Sequence, residues 1–443
     1  MVLFVLDTTR PDFFSCYGYD FRTTPNIDRL ADEGTRYANA FSTYFWTLPS
    51  HATLLTGLYP SEAGATGTTM RLPGEVNTLA ERMEKAGYVT GGVVANAWLA
   101  GSRGFSQGFA EYVEMWRPES RSELAGEAAP AQHRIIRWID ENAGKNKPFF
   151  LFVNNNIPHL PYTPAPAAER RFARQLWPKD VVRQLREFKD ELGQHTHAIT
   201  FDDEQFEILR DLYAAEISEA DALVGAVVDR LRERGILDRT IFILTADHGE
   251  NIGEHGLTGH MFSMFDTTMH VPLIIRFPER FMPGRVVTDI ISTIHVAPGI
   301  LDMCSIATPD DDRLDARRGL GRPHWAPPGF ALAEGTPPAD HLDAIGQERT
   351  DLDFSHLTRP VRMYRTESKK VITCAKGDVM LFDLLIDPQE RDNLADRQPE
   401  SRDRMLGNLQ HAMEAIEVLE AEPAGAIDDP ASLDALKALG YIK

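Results

Sequence analysis

Through the first 300 residues, short apolar runs alternate with stretches whose apolar positions recur at helical spacing. Val2-Leu3-Phe4-Val5-Leu6, residues 88–95, Phe149-Phe150-Leu151-Phe152-Val153 and Thr240-Ile241-Phe242-Ile243-Leu244-Thr245 have strand length and few or no polar interruptions. Strands covered on both faces read this way. Between them, residues 27–34 and 135–142 carry helical spacing. The longest helical pattern runs over 203–235, with Ile208, Leu212, Ala215, Ile217, Leu223, Val227 and Leu231 on one face. This alternation predicts an α/β fold with a mostly parallel central sheet flanked by helices. Later the pattern changes: residues 361–366, 370–374 and 379–384 read as short antiparallel strands, and 402–421 as an amphipathic helix. The expected organisation is a catalytic α/β unit over 1–310, a Pro-, Gly- and Asp-rich linker over 311–345, and a small C-terminal α+β domain over 346–443. Residues 160–200, polar and opened by Pro161, Pro164 and Pro166, read as an excursion over the strand ends.

Composition narrows the partners. The chain has 443 residues, 43% hydrophobic and 25% charged, which is ordinary for a globular protein. No apolar run approaches the roughly 20 residues needed to span a bilayer, so no membrane association is expected. The first residues lack a basic stretch, a long apolar region and a cleavage site, giving a cytoplasmic expectation unless an upstream segment is missing. Cys16, Cys304 and Cys374 are too scattered for a disulfide framework and form no CxxC pair. A net charge of −20 argues against nucleic acid, whose phosphates it would repel. A small anion is compatible with that charge, because a cation or a helix terminus acts within a screening length of about 8 Å.

Candidate chemistry lies at the strand ends. Asp7 terminates the first apolar run, and Asp247-His248 follows the run ending at Thr245. Open α/β sheets bind ligands at the carboxyl ends of their strands, where two carboxylates and an imidazole suit one divalent cation. The O/N donor set does not distinguish manganese, calcium, zinc and magnesium. Thr47, in Trp46-Thr47-Leu48-Pro49-Ser50-His51, places a hydroxyl before a proline-started helix, whose unpaired N–H groups and dipole attract an anion. A cation beside Thr47 would lower its pKa and make it a nucleophile. His195 and His197, followed by Asp202-Asp203, lack strand-end placement and read as a solvated face, leaving one metal.

At these residues the chain resembles the sulfatase family of the alkaline phosphatase superfamily. The resemblance rests on Leu6-Asp7-Thr8-Thr9-Arg10-Pro11-Asp12, Cys16-Tyr17-Gly18-Tyr19, Thr24-Pro25-Asn26-Ile27-Asp28-Arg29-Leu30, the Thr47 segment through Gly57-Leu58-Tyr59-Pro60, Thr245-Ala246-Asp247-His248-Gly249-Glu250, and Leu381-Phe382-Asp383-Leu384 with Asp387-Pro388-Gln389-Glu390. It implies a metal set of Asp7, Thr47, Asp247 and His248. It also implies that His159 contacts substrate and helps protonate the leaving group, a task suited to a side chain titrating near neutrality. His260 falls near a substrate-binding lysine of the family, and Asn96 where a lysine and histidine pair holds sulfate. His51, one helical turn from Thr47, is a candidate for orienting its hydroxyl or touching a bound oxygen.

The departures matter as much. The family carries two adjacent aspartates where this chain has Asp7-Thr8. Its formylglycine arises from Cys or Ser in Cys/Ser-x-Pro-x-Arg, whereas Thr47 and His51 stand at the two ends here. Threonine cannot be oxidised by that route, so Thr47 would form an ordinary covalent ester, and phosphorus accepts the second in-line attack that clears it. The expectation is a sulfatase-like, metal-dependent hydrolase of a small anionic ester: phosphate, phosphonate or sulfate. The alternatives are a sulfuric ester hydrolase without formylglycine, or a noncatalytic relative that retains the metal. Oligomeric state is not legible.

Overall fold

The computed structural model describes all residues except 124–128, 145–146, 189–190, 197, 323–324, 339–356, 374–376, 426, 428 and 442–443. His197, Cys374 and residues 339–345 of the expected linker therefore lie outside the described residues. Fourteen strands are described. They are β1 (Val2–Leu6), β2 (Thr35–Phe41), β3 (Val89–Val94), β4 (Glu111–Glu114), β5 (Phe149–Asn155), β6 (Phe242–Thr245), β7 (Asn251–Ile252), β8 (Thr258–Gly259), β9 (His270–Arg276), β10 (Arg285–Ser292), β11 (Phe330–Gly335), β12 (Val361–Thr366), β13 (Lys369–Thr373) and β14 (Val379–Asp383).

Eight of these form the central sheet, in the order β10-β2-β9-β6-β1-β5-β3-β4. Only β9 runs against its neighbours β6 and β2. β1 shows why its sequence is apolar throughout: Leu3 and Val5 join one core cluster and Val2, Phe4 and Leu6 another. The first face is covered by the helices Thr47–Thr56, Leu79–Lys85 and Val296–Met303. The second is covered by Pro25–Asp32, Pro130–Asn142 and Asp203–Glu233. The long helix opens with a capping box, in which Asp202 accepts from the Gln205 amide and Gln205 answers to Asp202.

A second, antiparallel sheet takes the order β11-β12-β13-β14. Its first strand lies inside the stretch read as a linker, where the helix Asp312–Arg317 also forms. One face, with Ala331, Ala333, Met363, Ile372 and Phe382, continues the main core. The other packs Leu332, Tyr364, Val371 and Leu381 under Met405 and Leu409 of the helix Pro399–Glu414. That helix stops before the expected residue 421: Val418 and Leu419 face solvent, and the Leu419 amide is taken by the Ser61 carbonyl. Within residues 160–200, Phe172 and Leu185 from their helices pack beside the long helix, while Gln194 reaches β8 and accepts from the Thr258 amide at 2.7 Å. Among the described residues no helix is long and apolar enough to cross a membrane.

Candidate active site

Strand register assembles the site. Val94, Asn154, Val5 and Thr245 stand side by side across β3, β5, β1 and β6. Asn96, Asp7 and Asp247 each lie two residues further on, so parallel strands deliver three polar side chains to one spot. Asn154, in the row itself, donates to Asp7 Oδ2 at 3.2 Å. The Asp7 amide is fixed by the Asn155 carbonyl at 2.8 Å. Thr8 turns the chain sharply with φ 53°, a left-handed conformation costly for a β-branched residue. Its amide then donates to Asp247 Oδ1 at 3.2 Å, and its hydroxyl to the Pro158 carbonyl. Thr8 therefore turns its hydroxyl away from the acids and does not replace the second aspartate of the family pattern. Gly249 does more than end a turn: a Cβ there would stand 2.1 Å from the Thr267 carbonyl oxygen.

One donor atom from each of Asp7, Asp247 and His248 lies within 4.8 Å of the others, all fully buried. His248 Nε2 is 3.2 Å from Asp247 Oδ2 and 3.8 Å from Asp7 Oδ1. Asp247 Oδ2 and His248 Nε2 have no hydrogen-bond partner, and buried polar atoms rarely stay unpaired. His248 Nδ1 lies 3.0 Å from the Gly249 carbonyl, which assigns its proton there and turns the Nε2 lone pair toward the acids. Burial and the charge of Asp247 push the Asp7 pKa up. Burial works against a charged His248, yet Asp247 prevails and raises its pKa. The group is short of positive charge and fits a divalent cation in donor type, burial and orphaned atoms.

Thr47 is the first residue of the helix Thr47–Thr56, after an extended Trp46, and no side chain caps that helix. Its hydroxyl is thus not spent as a cap. Thr47 Oγ1 lies 3.5 Å from Asp7 Oδ1 and accepts from Asn96 Nδ2 at 3.2 Å, while the same amide nitrogen donates to Asp7 Oδ2 at 2.9 Å. Asn96 therefore touches the candidate nucleophile itself. His51 does not: its Nδ1 meets the Thr47 backbone carbonyl at 2.8 Å and stands 3.4 Å from Asp247 Oδ2. Asn154 Nδ2 lies 3.3 Å from the other ring nitrogen, and burial lowers the imidazole pKa. His51 is a neutral brace behind the acids, one turn along the helix from the hydroxyl it was expected to orient.

His159 and His260 face each other, ring centroids 5.3 Å apart. The β7–β8 hairpin pairs Asn251 with Gly259 and so brings the next residues out, Glu250 and His260, together. His260 Nδ1 is 2.9 Å from Glu250 Oε1, and its ring lies against His248 at 4.4 Å. His159 Nδ1 is 2.6 Å from the Leu160 carbonyl. Burial pushes its pKa down to about 4, so it is neutral near pH 7 rather than poised there.

Both histidines point at a residue that the sequence reading did not single out. Tyr441 follows the helix Pro430–Ala438, and its hydroxyl is 2.8 Å from His159 Nε2, 3.2 Å from His260 Nε2 and 3.2 Å from Thr47 Oγ1. Nothing in Leu439-Gly440-Tyr441 distinguishes it from surface sequence. Asn154 and Glu250 were also missed as site residues, although Asn154 closes the buried apolar run Phe149–Val153, the very signal that marked Asp7.

Comparison with known proteins defines the class as an α/β enzyme of ester hydrolysis. The family profile described as Sulfatase matches residues 1–306; the chain belongs to the sulfatase family. It is 24% identical to an N-acetylglucosamine-6-O-sulfatase of Bacteroides thetaiotaomicron, over 89% of this chain and 82% of that one. It is 25% identical to arylsulfatase K of Xenopus laevis, over 86% and 76%. A phosphonate monoester hydrolase of Agrobacterium radiobacter shares the fold with a TM-score of 0.75 at 21% identity, covering 94% of this chain and 95% of that one. The profile takes in Asp7, Thr47, Asn96, His159, Asp247, His248 and His260, and ends well before Tyr441.

Proposed function

We propose that this sulfatase-family protein hydrolyses small anionic esters, phosphate or phosphonate esters ahead of sulfate esters, through a covalent intermediate on Thr47. The observation that carries the reading is a buried threonine hydroxyl at an uncapped helix N-terminus, beside the Asp7–Asp247–His248 group. A divalent cation held by Asp7, Asp247 and His248 would neutralise part of the anion's charge and lower the pKa of the Thr47 hydroxyl. Thr47 Oγ1 passes its proton to Asp7 Oδ1, 3.5 Å away, and attacks in line, forming its bond to phosphorus as the bond to the ester oxygen breaks. Asn96 lies within reach of the attacking oxygen, and His260, whose Nδ1 meets Glu250, would donate from Nε2 to a nonbridging oxygen when protonated. An anion within hydrogen-bond reach favours charged His159, which then gives its Nε2 proton to the departing oxygen. Water next attacks the Thr47 adduct and restores the hydroxyl.

Sulfate esters are the second reading, because the curated relatives quoted above are named as sulfatases. Threonine in place of an oxidisable residue weighs toward phosphorus. The test is a panel of nitrophenyl phosphate, phosphonate, phosphodiester and sulfate substrates with and without manganese, alongside mass spectrometry of the Thr47 peptide after brief exposure. Metal-dependent turnover, its loss in Thr47→Ala and an adduct of the transferred group are expected. No turnover of any substrate and no effect of Thr47→Ala would leave a binding protein.

A further inference from the structure

The site is shut, and the residue that shuts it imitates a substrate. Thr47, Asp7, Asn96, Asp247, His248 and His260 are all inaccessible to solvent. Three polar atoms surround the Tyr441 hydroxyl, Thr47 Oγ1, His159 Nε2 and His260 Nε2, as many as its one proton and two lone pairs could engage. Before attack, the reacting centre of an ester must stand about 3–3.5 Å from the nucleophile, with its leaving oxygen in reach of His159. The Tyr441 oxygen already holds that place, with its ring set edge-on against Trp98 at 5.6 Å.

This segment joins neither sheet. The helix Pro430–Ala438 docks through a 2.6 Å ion pair of Asp429 with Arg117, through Trp116 Nε1 donating to Ser432 Oγ at 3.2 Å, and through Ala435 and Leu436, which join the main core with Ala431 and Leu439 packed against it. The chain before it, residues 415–425, has neither helix nor strand and is pinned by the Leu419 and Ala424 amides, to the Ser61 and Thr69 carbonyls. The helix can leave without unpairing any strand of either sheet.

We propose that Tyr441 is a resident competitor for the substrate site: a bound anion and the Tyr441 hydroxyl exclude each other, and residues 430–441 must withdraw for turnover. The inference rests on the hydrolase reading for the identity of the site, and its test is binding rather than catalysis. Inorganic phosphate is titrated by calorimetry, in the presence of magnesium, into wild type, Tyr441→Ala and Tyr441→Phe. Amide hydrogen exchange of residues 430–441 is followed in wild type with and without phosphate. Losing the three hydrogen bonds is expected to tighten phosphate binding about tenfold or more in Tyr441→Ala. Tyr441→Phe, which keeps the ring and guards against misfolding, should gain several-fold. Exchange in residues 430–441 should rise when phosphate binds wild type. Equal or weaker binding by the variants, unchanged exchange at saturating phosphate, or no binding to any form would each overturn the competition. Normal substrate turnover with unaltered phosphate affinity removes the competitor alone; tighter phosphate binding without turnover in any form removes the hydrolase reading alone.

Discussion

At the scale of single residues, Asp7, Asp247 and His248 were legible because each follows an apolar run of buried-strand length, and a charge in that position needs a partner. Asn154 carries the same signal more faintly, as an amide. The structure sets His159 opposite His260, and burial of the ring drops its pKa to about 4 rather than leaving it near neutrality. In the proposed reaction its part as a proton donor depends on the bound anion, and this has a kinetic consequence. His159→Ala should lower kcat/KM by about 10²–10⁴-fold, with the larger losses for alkyl esters and the smaller for nitrophenyl esters, whose leaving groups need no proton. Equal losses across leaving groups would assign His159 to ground-state binding.

At the scale of elements, the long helix Asp203–Glu233 was read from its apolar spacing, yet it also carries a buried acid. Glu216 accepts from the Thr163 amide at 2.6 Å and also meets the His159 backbone, thereby supporting the loop that presents His159. Burial raises its pKa from the ordinary 4.5 to about 8. A group whose folded pKa is raised binds its proton more tightly in the folded state. Its contribution is therefore complete below pH 4.5, lost progressively as pH climbs to 8, and absent above. Glu216→Gln keeps the carbonyl acceptor and removes the titration. Relative to wild type, the variant should gain on the order of a few kcal/mol between pH 5 and pH 9, read from urea unfolding at the two pH values. A constant difference would show that Glu216 is ionised or hydrated throughout.

At the scale of the whole molecule, the small sheet is not an appendage. Its inner face shares the main core, and a buried ionic cluster stitches the two together: Lys370 of β13 reaches Asp266 at 2.7 Å and Glu390 at 2.6 Å, with Arg365 3.1 Å from Asp266. Lys370 is wholly inaccessible. Removing one partner of a buried ion pair leaves uncompensated charge, so Lys370→Met should cost about 3–5 kcal/mol in denaturant unfolding. A loss below about 1 kcal/mol would mean that the acids are protonated or reach other donors. The sequence reading divided the chain near residue 345 because Pro, Gly and Asp dominate the stretch before it. Within that stretch the apolar positions of Phe330–Gly335 were enough for a strand once β12 lay beside them.

What the sequence determined unaided was the layered α/β plan and the acid–acid–imidazole group at its strand ends. These are encoded locally, since an apolar run fixes a buried strand and the polar residue that ends it must emerge at the sheet's edge. Only the tertiary structure decided that Thr47 meets Tyr441 across 394 positions of chain, that His51 faces backward, and that Glu250 aims His260. Such contacts depend on where a distant helix docks, and no periodicity or composition near either partner reports the position of the other.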